Sequence, residues 1–300
     1  MKIVVLSRRS RSYSTERLVQ TARTRGHTCQ ALDPDDCSLV LEADRPVVYY
    51  KSRRLLNVHL AVPRLGAQAT EFSLTLLQAF EELGIPCLNL PDAIANARDR
   101  FRSLRALGRA GLPIPRTLVC RRPEEIGRKV QLIGGPPVLL KVLGGSHGMG
   151  AIIAENMDSI VSIVESFWEA GRNILLQQVV GRGREVRAFV AGGRVIGAVR
   201  RAPRAAEPRD PRSATSEPAD LTRPYRALAI RTAEVLGLEV AGVDLHEGKG
   251  GPLVMEVNPA PGLEEVERAT GIDVASEVMR FAEAMVARRS AKAAPKAVAS

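Results

Sequence analysis

Two apolar runs late in the chain, Val240-Ala-Gly-Val-Asp-Leu-His246 and Pro252-Leu-Val-Met-Glu-Val-Asn258, are separated by Glu-Gly-Lys-Gly-Gly, a spacing that allows little except a β-hairpin. Side chains alternate along a strand, so Glu256 and Asn258 face one way while Met255 and Val257 face the other. With the turn centred near Gly250, Asp244 lies opposite Glu256 on the same face. Two carboxylates facing each other repel. A divalent cation removes that repulsion, and three oxygen donors with no His or Cys suit Mg²⁺ or Mn²⁺. Pro259 and Pro261 then stop the strand and Gly262 lets the chain turn. The bland alternative is a solvated hairpin carrying scattered acids.

A second segment, Lys141-Val-Leu-Gly144-Gly145-Ser146-His147-Gly148-Met149-Gly150, is rich in glycine. Glycines let backbone N–H groups converge on phosphate oxygens without Cβ clashes. No Gly-Lys-Ser/Thr follows, so this is not a P-loop. It reads either as a hairpin lid over a triphosphate or as an ordinary flexible hairpin loop. Lys141 ends the apolar run Val138-Leu-Leu140 on a strand expected to be largely buried, where an ammonium needs an anionic partner such as a phosphate pair. A lysine snorkelling from a strand end would look the same.

A third segment is Ile174-Leu-Leu-Gln-Gln178-Val-Val180, followed by Gly-Arg-Gly-Arg-Glu185-Val-Arg187. An apolar strand end can hold adenine through backbone groups near Gln178 and Val180. Glu185 can take ribose hydroxyls, and Arg187 can face phosphate or a substrate carboxylate. As bare sequence this is a strand and a charged turn.

Around these segments the spacing predicts strands at 2–7, 27–32, 58–64 and 86–89, with helices at 14–25 (capped by Ser14 or Thr15) and 70–83. This βαβ alternation implies an open, doubly wound sheet, and the lack of G-x-G-x-x-G after the first strand argues against a dinucleotide there. A helix over 94–109, a strand over 137–142 with a partner at 151–154, and a helix over 159–170 follow. Residues 174–180, 185–190 and 194–200 read as successive antiparallel strands. Pro203 to Pro224 holds five prolines and almost no large apolar side chain, which predicts a mobile loop. A helix over 226–236, the hairpin, a final helix and an Ala/Lys-rich tail complete the chain.

The 300 residues, 45% apolar, suffice for two or three lobes; with 4% aromatics, the core must rest on Leu, Val, Ile and Ala. A net charge of +10 suits polyanionic partners: nucleotide phosphates, acidic peptides or RNA. Cys29, Cys37, Cys87 and Cys120 form no C-x-x-C pair and read as buried reduced thiols. Neither a signal peptide nor an apolar run of about 20 residues is present, which predicts a soluble cytoplasmic protein with no membrane partner.

Val138-Leu-Leu-Lys141, the 144–150 glycine loop, Asp244 and Met255-Glu-Val-Asn-Pro-Ala-Pro-Gly262 together resemble the ATP-grasp superfamily. Within it the chain is similar to RimK-type α-L-glutamate ligases, which add glutamate to the C-terminus of ribosomal protein S6. That likeness extends through Lys2-Ile-Val-Val-Leu-Ser7, Val62-Pro-Arg-Leu-Gly66, Ala95-Asn-Ala-Arg-Asp99 and Thr270-Gly-Ile-Asp273. It implies an α/β chain: a doubly wound domain (1–95), then a two-lobed ATP-grasp fold with a central lobe (96–175) and a metal-bearing lobe (176–287), and a disordered tail (288–300).

The resemblance further implies ATP as cofactor, with Lys141 on its phosphates and Gly145, Ser146 and Gly148 in the lid. Gln178 and Val180 would flank adenine and Glu185 would bind ribose. Asp244, Glu256 and Asn258 would hold two Mg²⁺ ions, and Arg200 would lie near the phosphate or acyl group, catalytic together with Lys141. The implied chemistry is phosphoryl transfer to a carboxylate, then attack by an amine, with glutamate and a peptide or protein acceptor, ribosomal in the relatives. A homo-oligomer is compatible with all of this.

The chain departs from the family pattern in three places. Arg100 stands where a phosphate-contacting lysine is usual, Gln178 replaces a glutamate, and residues 207–216 lack the usual Arg-Ser-Asn and Gly-Gly elements. Two other readings therefore stand beside the first: a nucleotide-binding regulatory protein without turnover, and a ligase of the same fold acting on a small molecule. A purely RNA- or ribosome-binding protein would rest on the charge alone.

Overall fold

The computed structural model describes residues 1–42, 45–66, 69–120, 123–143, 151–180, 184–201, 216–248 and 250–293. The first unit runs β1 (Lys2–Leu6), α1 (Tyr13–Thr24), β2 (Thr28–Leu32), β3 (Cys37–Glu42), β4 (Arg45–Tyr50), β5 (Arg53–Arg54), β6 (Leu60–Pro63) and α2 (Glu71–Glu82). Strands β2, β1 and β6 form a parallel sheet in that order. It is covered on both faces: Ile3 and Val5 pack with Leu18 and Ala22 of α1, while Val4 and Leu6 pack with Leu76, Leu77 and Phe80 of α2. A strand buried on both sides carries the unbroken apolar run seen in β1.

Several local expectations are corrected. Ser14 and Thr15 lie inside α1, whose N-cap is Ser12; Ser14 Oγ instead accepts from the Leu263 backbone N–H, and Thr15 bonds Ser7. The segment 86–89 is no strand, only a single bridge from Cys87 to Ala61. Strands β3, β4 and β5 make an unforeseen antiparallel sheet. The helix expected over 94–109 is two helices, α3 (Pro91–Arg98) and α4 (Arg100–Arg109). Asp99 separates them because its side chain accepts from the N–H groups of Phe101 and Arg102 and so caps α4. Cys29, Cys37 and Cys87 are buried free thiols whose pKa burial pushes up, to about 12 for Cys87, whereas Cys120 is only partly buried.

The central region comprises β7 (Thr117–Val119), α5 (Ile126–Lys129), β8 (Val138–Val142), β9 (Ile152–Ala154), α6 (Met157–Glu169) and β10 (Ile174–Gln178). Its sheet is antiparallel in the order β7-β10-β8-β9. One face buries Val138, Leu140, Ile174 and Leu176 against Ile126 of α5 and Ile160 and Val164 of α6. Alternation leaves Lys141, Leu175 and Gln177 on the other face.

The last region holds β11 (Arg184–Ala191), β12 (Arg194–Arg201), β13 (Ser216–Pro218), α7 (Arg223–Val235), β14 (Val240–Gly248), β15 (Gly251–Asn258), α8 (Glu264–Thr270) and α9 (Val274–Ala293). Its five-stranded sheet has the order β13-β12-β11-β14-β15. Strand β10 therefore belongs to the other sheet and does not pair with β11. Residues 216–218, expected in a loop, pair with β12; 202–215 lie outside the described residues. Helix α9 runs to Ala293, so 288–293 is helical rather than tail. Among the described residues no helix is long and apolar enough to cross a membrane.

Asn89 ties the first unit to this sheet. Its buried side chain accepts from the N–H groups of Glu239 and Val240 and donates to the carbonyls of Val240 and Pro259. These four bonds satisfy the whole amide.

Candidate active site

The hairpin β14–β15 forms the floor. Its ladder pairs Gly248 with Gly251, where Gly251 has φ +93°, a left-handed conformation suited to glycine at a tight turn. Up to the Leu245–Val254 pair a regular register would set Asp244 against Met255. A bulge there shifts the ladder, and Asp244 pairs with Glu256, Val243 with Val257 and Gly242 with Asn258. Asp244 thus stands opposite Glu256, as the sequence predicts, with the two core-facing residues Val254 and Val257 bracketing the bulge. Gly242 is required for the next turn of the chain, because a Cβ there would sit 2.8 Å from the Cβ of Pro261.

Arg187, across from Asp244 on β11, grips it with two bonds of 2.6 Å each. Burial opposes the charge on Arg187, but Asp244 outweighs it and raises the guanidinium's pKa. Arg201 binds both oxygens of Glu265 on α8 and comes within 3.6 Å of Asp244. Ser216 donates to Glu265 at 2.8 Å, and Arg187 lies 3.6 Å from it. Burial raises the Glu265 pKa, yet its bonds to Arg201 and Ser216 prevail and hold the carboxyl below its usual range.

The central lobe closes over this floor. Arg100, at the start of α4, donates to the Val142 carbonyl of β8 and to Glu256 of β15, each at 3.2 Å, so one guanidinium bridges the two sheets. Lys141 donates to Gln177 at 3.0 Å. Burial lowers the Lys141 pKa; Glu256, Glu185 and Asp244 raise it in part and Arg100 lowers it further. Lys141, Arg100, Glu256 and Asn258 line one open cleft of about 1240 Å³ that continues past Arg105.

The structure therefore brings together Lys141, Arg100, Glu185, Arg187, Asp244 and Glu256. Asn258 adjoins them at the end of β15, its Oδ1 accepting from the Ala260 N–H at 2.9 Å. Gly145, Ser146 and Gly148 lie outside the described residues. Gln178 is turned away: its side chain reaches toward Gly134 on the opposite face of β10, and its N–H is taken by the Arg116 carbonyl. Val180 is half-buried just past β10. Arg200 is also turned away. It sits across from Val186 on the α7 face, bound to Glu247 at 2.8 and 3.0 Å, away from the cluster around Lys141 and Asp244 and so away from the phosphate-side position expected for it. Arg201, the neighbour of opposite parity, takes that place. Arg201, Glu265 and Gln177 escape a motif search; alternation along β12 and β10 would single out Arg201 and Gln177 once register is known, whereas Glu265 gives no local signal.

Among the described residues no three His, Cys, Asp or Glu side chains cluster as a metal cage. Asp244, Glu256 and Asn258 nevertheless fit a hard cation in donor type. The Arg187 fork uses one lone pair on each Asp244 oxygen and leaves the others. Guanidinium groups here balance carboxylates that would otherwise repel.

Residues 1–94 match the family model described as the RimK PreATP-grasp domain, and residues 97–282 match the RimK-like ATP-grasp domain. The chain is 40% identical to a probable alpha-L-glutamate ligase of Nitrosococcus oceani, over 94% of this chain and 95% of that one. It is 28% identical to a RimK domain ATP-grasp protein from Sphaerobacter thermophilus, with a TM-score of 0.73, over 94% of this chain and all of the other. The ATP-grasp ligase PsnB, solved with a minimal precursor, Mg and ADP, shares the fold at 20% identity, with a TM-score of 0.75 over 96% and 98% of the two chains.

Proposed function

From the chain's membership of the RimK-like ATP-grasp family, an ATP-dependent ligase family, we propose that it joins glutamate to the C-terminal carboxylate of a peptide or protein, as in ribosomal protein S6 modification. One observation carries the reading. Lys141 of the central sheet and Asp244 and Glu256 of the hairpin share one electrostatic site, and Arg100 links the two sheets across it.

A triphosphate entering between the sheets would find a lysine whose pKa is lowered chiefly by burial, and phosphate charge would favour its protonated form. Arg100 and Arg201 would neutralise the charge that spreads over the transferred phosphoryl group. Asp244, Glu256 and Asn258 would hold Mg²⁺, two ions in this reading and Mn²⁺ as a substitute, which supplies charge neutralisation at the phosphates. The acceptor carboxylate becomes an acyl phosphate, the amino group of glutamate attacks it, and phosphate leaves. Held together, the sheets would position nucleotide and carboxylate for the transfer. The net charge of +10 favours an acidic acceptor.

The test mixes protein, ATP, Mg²⁺, glutamate and candidate acceptors and follows ADP release and acceptor mass. A gain of one or more glutamyl residues is expected; no ADP with any acceptor sinks the reading. A nucleotide-binding protein without turnover is the second reading, favoured by the Arg187 fork on both Asp244 oxygens. Calorimetry showing tight Mg·ATP binding with no turnover would support it.

A further inference from the structure

Arg64 stands at the carboxyl end of β6 in the parallel sheet, where open α/β sheets place their ligands. Its Nη1 donates to the Pro261 carbonyl at 2.7 Å, while its Nε has neither exposed surface nor a hydrogen-bond partner. Among the described residues no ion pair of Arg64 is seen, unlike Arg100, Arg187 and Arg201, each of which holds a carboxylate. Burial alone pushes its pKa down to about 10, with no compensating charge nearby. The residue as a whole is half-buried, and sealing its Nε from solvent without an anion is costly. Arg64 lines a small, mostly apolar recess with Leu88, Pro259 and Leu263, and is not among the residues lining the cleft that holds Lys141 and Arg100. Two residues on, Gly66 packs against Asn258, 3.5 Å from its Oδ1 as measured from a Cβ built on the glycine.

We infer that Arg64 is a carboxylate-binding residue, holding a carboxylate of the incoming amino acid beside Asn258 and the 259–262 turn. The inference rests on the ligase reading above. The choice of carboxylate follows from charge. On phosphorylation the acceptor carboxylate's charge passes to the phosphoryl oxygens of the acyl phosphate, and the phosphates meet Lys141 and Arg100. The amino acid attacks through its amine, so its carboxylates stay ionised throughout and suit a permanent guanidinium.

Arg64→Met keeps the stem and removes the fork. The expected result is a rise in the glutamate KM on the order of 100-fold, with the ATP KM and the thermal midpoint little changed. Arg64→Lys should recover part of the loss. Wild-type protein should also prefer glutamate over one of its two monoamides, glutamine or isoglutamine, and Arg64→Met should lose that preference. A merely structural Arg64, holding Pro261, would change the ATP and glutamate parameters together or leave both alone, and either result overturns the inference. Wild-type ADP release tests the ligase reading separately. Without turnover, calorimetry of glutamate on protein loaded with Mg·AMPPNP decides: binding lost in Arg64→Met supports the inference, while equal binding in Arg64→Met, or none in wild type, overturns it.

Discussion

On the α7 side of the five-stranded sheet, Val186, Ala188, Val243, Leu245, Val254 and Val257 are buried together. On the opposite side, one residue away along the same strands, stand Glu185, Arg187, Asp244 and Glu256. The apolar face sets the register, because a slip of one residue would exchange the two faces and bury the acids. The ionic face inherits its geometry from that register. The placement of these ionic side chains is thus a by-product of hydrophobic packing, and substitutions on the two faces should fail in different ways.

The sharpest break in the comparison is Glu256→Gln. It should cut turnover by at least about 10²–10³-fold while leaving the melting midpoint in place, as checked by steady-state kinetics and calorimetric melting. Retained wild-type turnover would refute the metal assignment. Leu245→Ala, on the other face, should do the reverse: a loss of about 2–5 kcal/mol in stability, read by urea unfolding, with native-like KM values for the fraction still folded. Arg201→Ala against Arg200→Ala sharpens the contrast at adjacent positions. The first should lower kcat about 10²-fold. The second removes a partly exposed pair worth about 1 kcal/mol or less and should leave kcat within a few-fold. Equal effects would undo the parity argument.

The smallest effect is one of pH. The folded pKa of Lys141 lies below its ordinary value of 10.5, so the folded protein sheds that proton before the unfolded chain does. Lys141 therefore destabilises the nucleotide-free protein while charged, and stability rises with pH between the lowered pKa and 10.5. Over the same window ATP affinity should fall as the ammonium is lost. Lys141→Met should bind ATP weakly with a flatter alkaline limb in a pH series of calorimetric titrations. An unchanged limb would favour the snorkelling reading.

Much of this was legible in the sequence where local rules suffice. The β1 run, the hairpin and the Asp244–Glu256 pairing follow from alternation and turn chemistry, although the turn centred on Gly250 gave the right pair for an incomplete reason, since a bulge supplies the shift. The Asp99 cap went unread because it interrupts an otherwise helical stretch within a single residue. The pairing of β10 with β8 rather than β11 depends on long-range contacts that no local window contains. At Arg200-Arg201, composition marks the pair of charges, but only the ladder decides which one faces the site. Glu265 and Arg64 reach their places through tertiary packing alone.

The Asn89 amide acts as a tongue-and-groove joint between the first ninety residues and the hairpin. It sets β6 and the 259–262 turn against each other before any ligand arrives. Exchanging the leading segment for that of another member would therefore succeed only if the incoming piece carried an equivalent amide at the seam. A mismatch there should loosen Asn258 even in a chimera whose separate halves are both well packed.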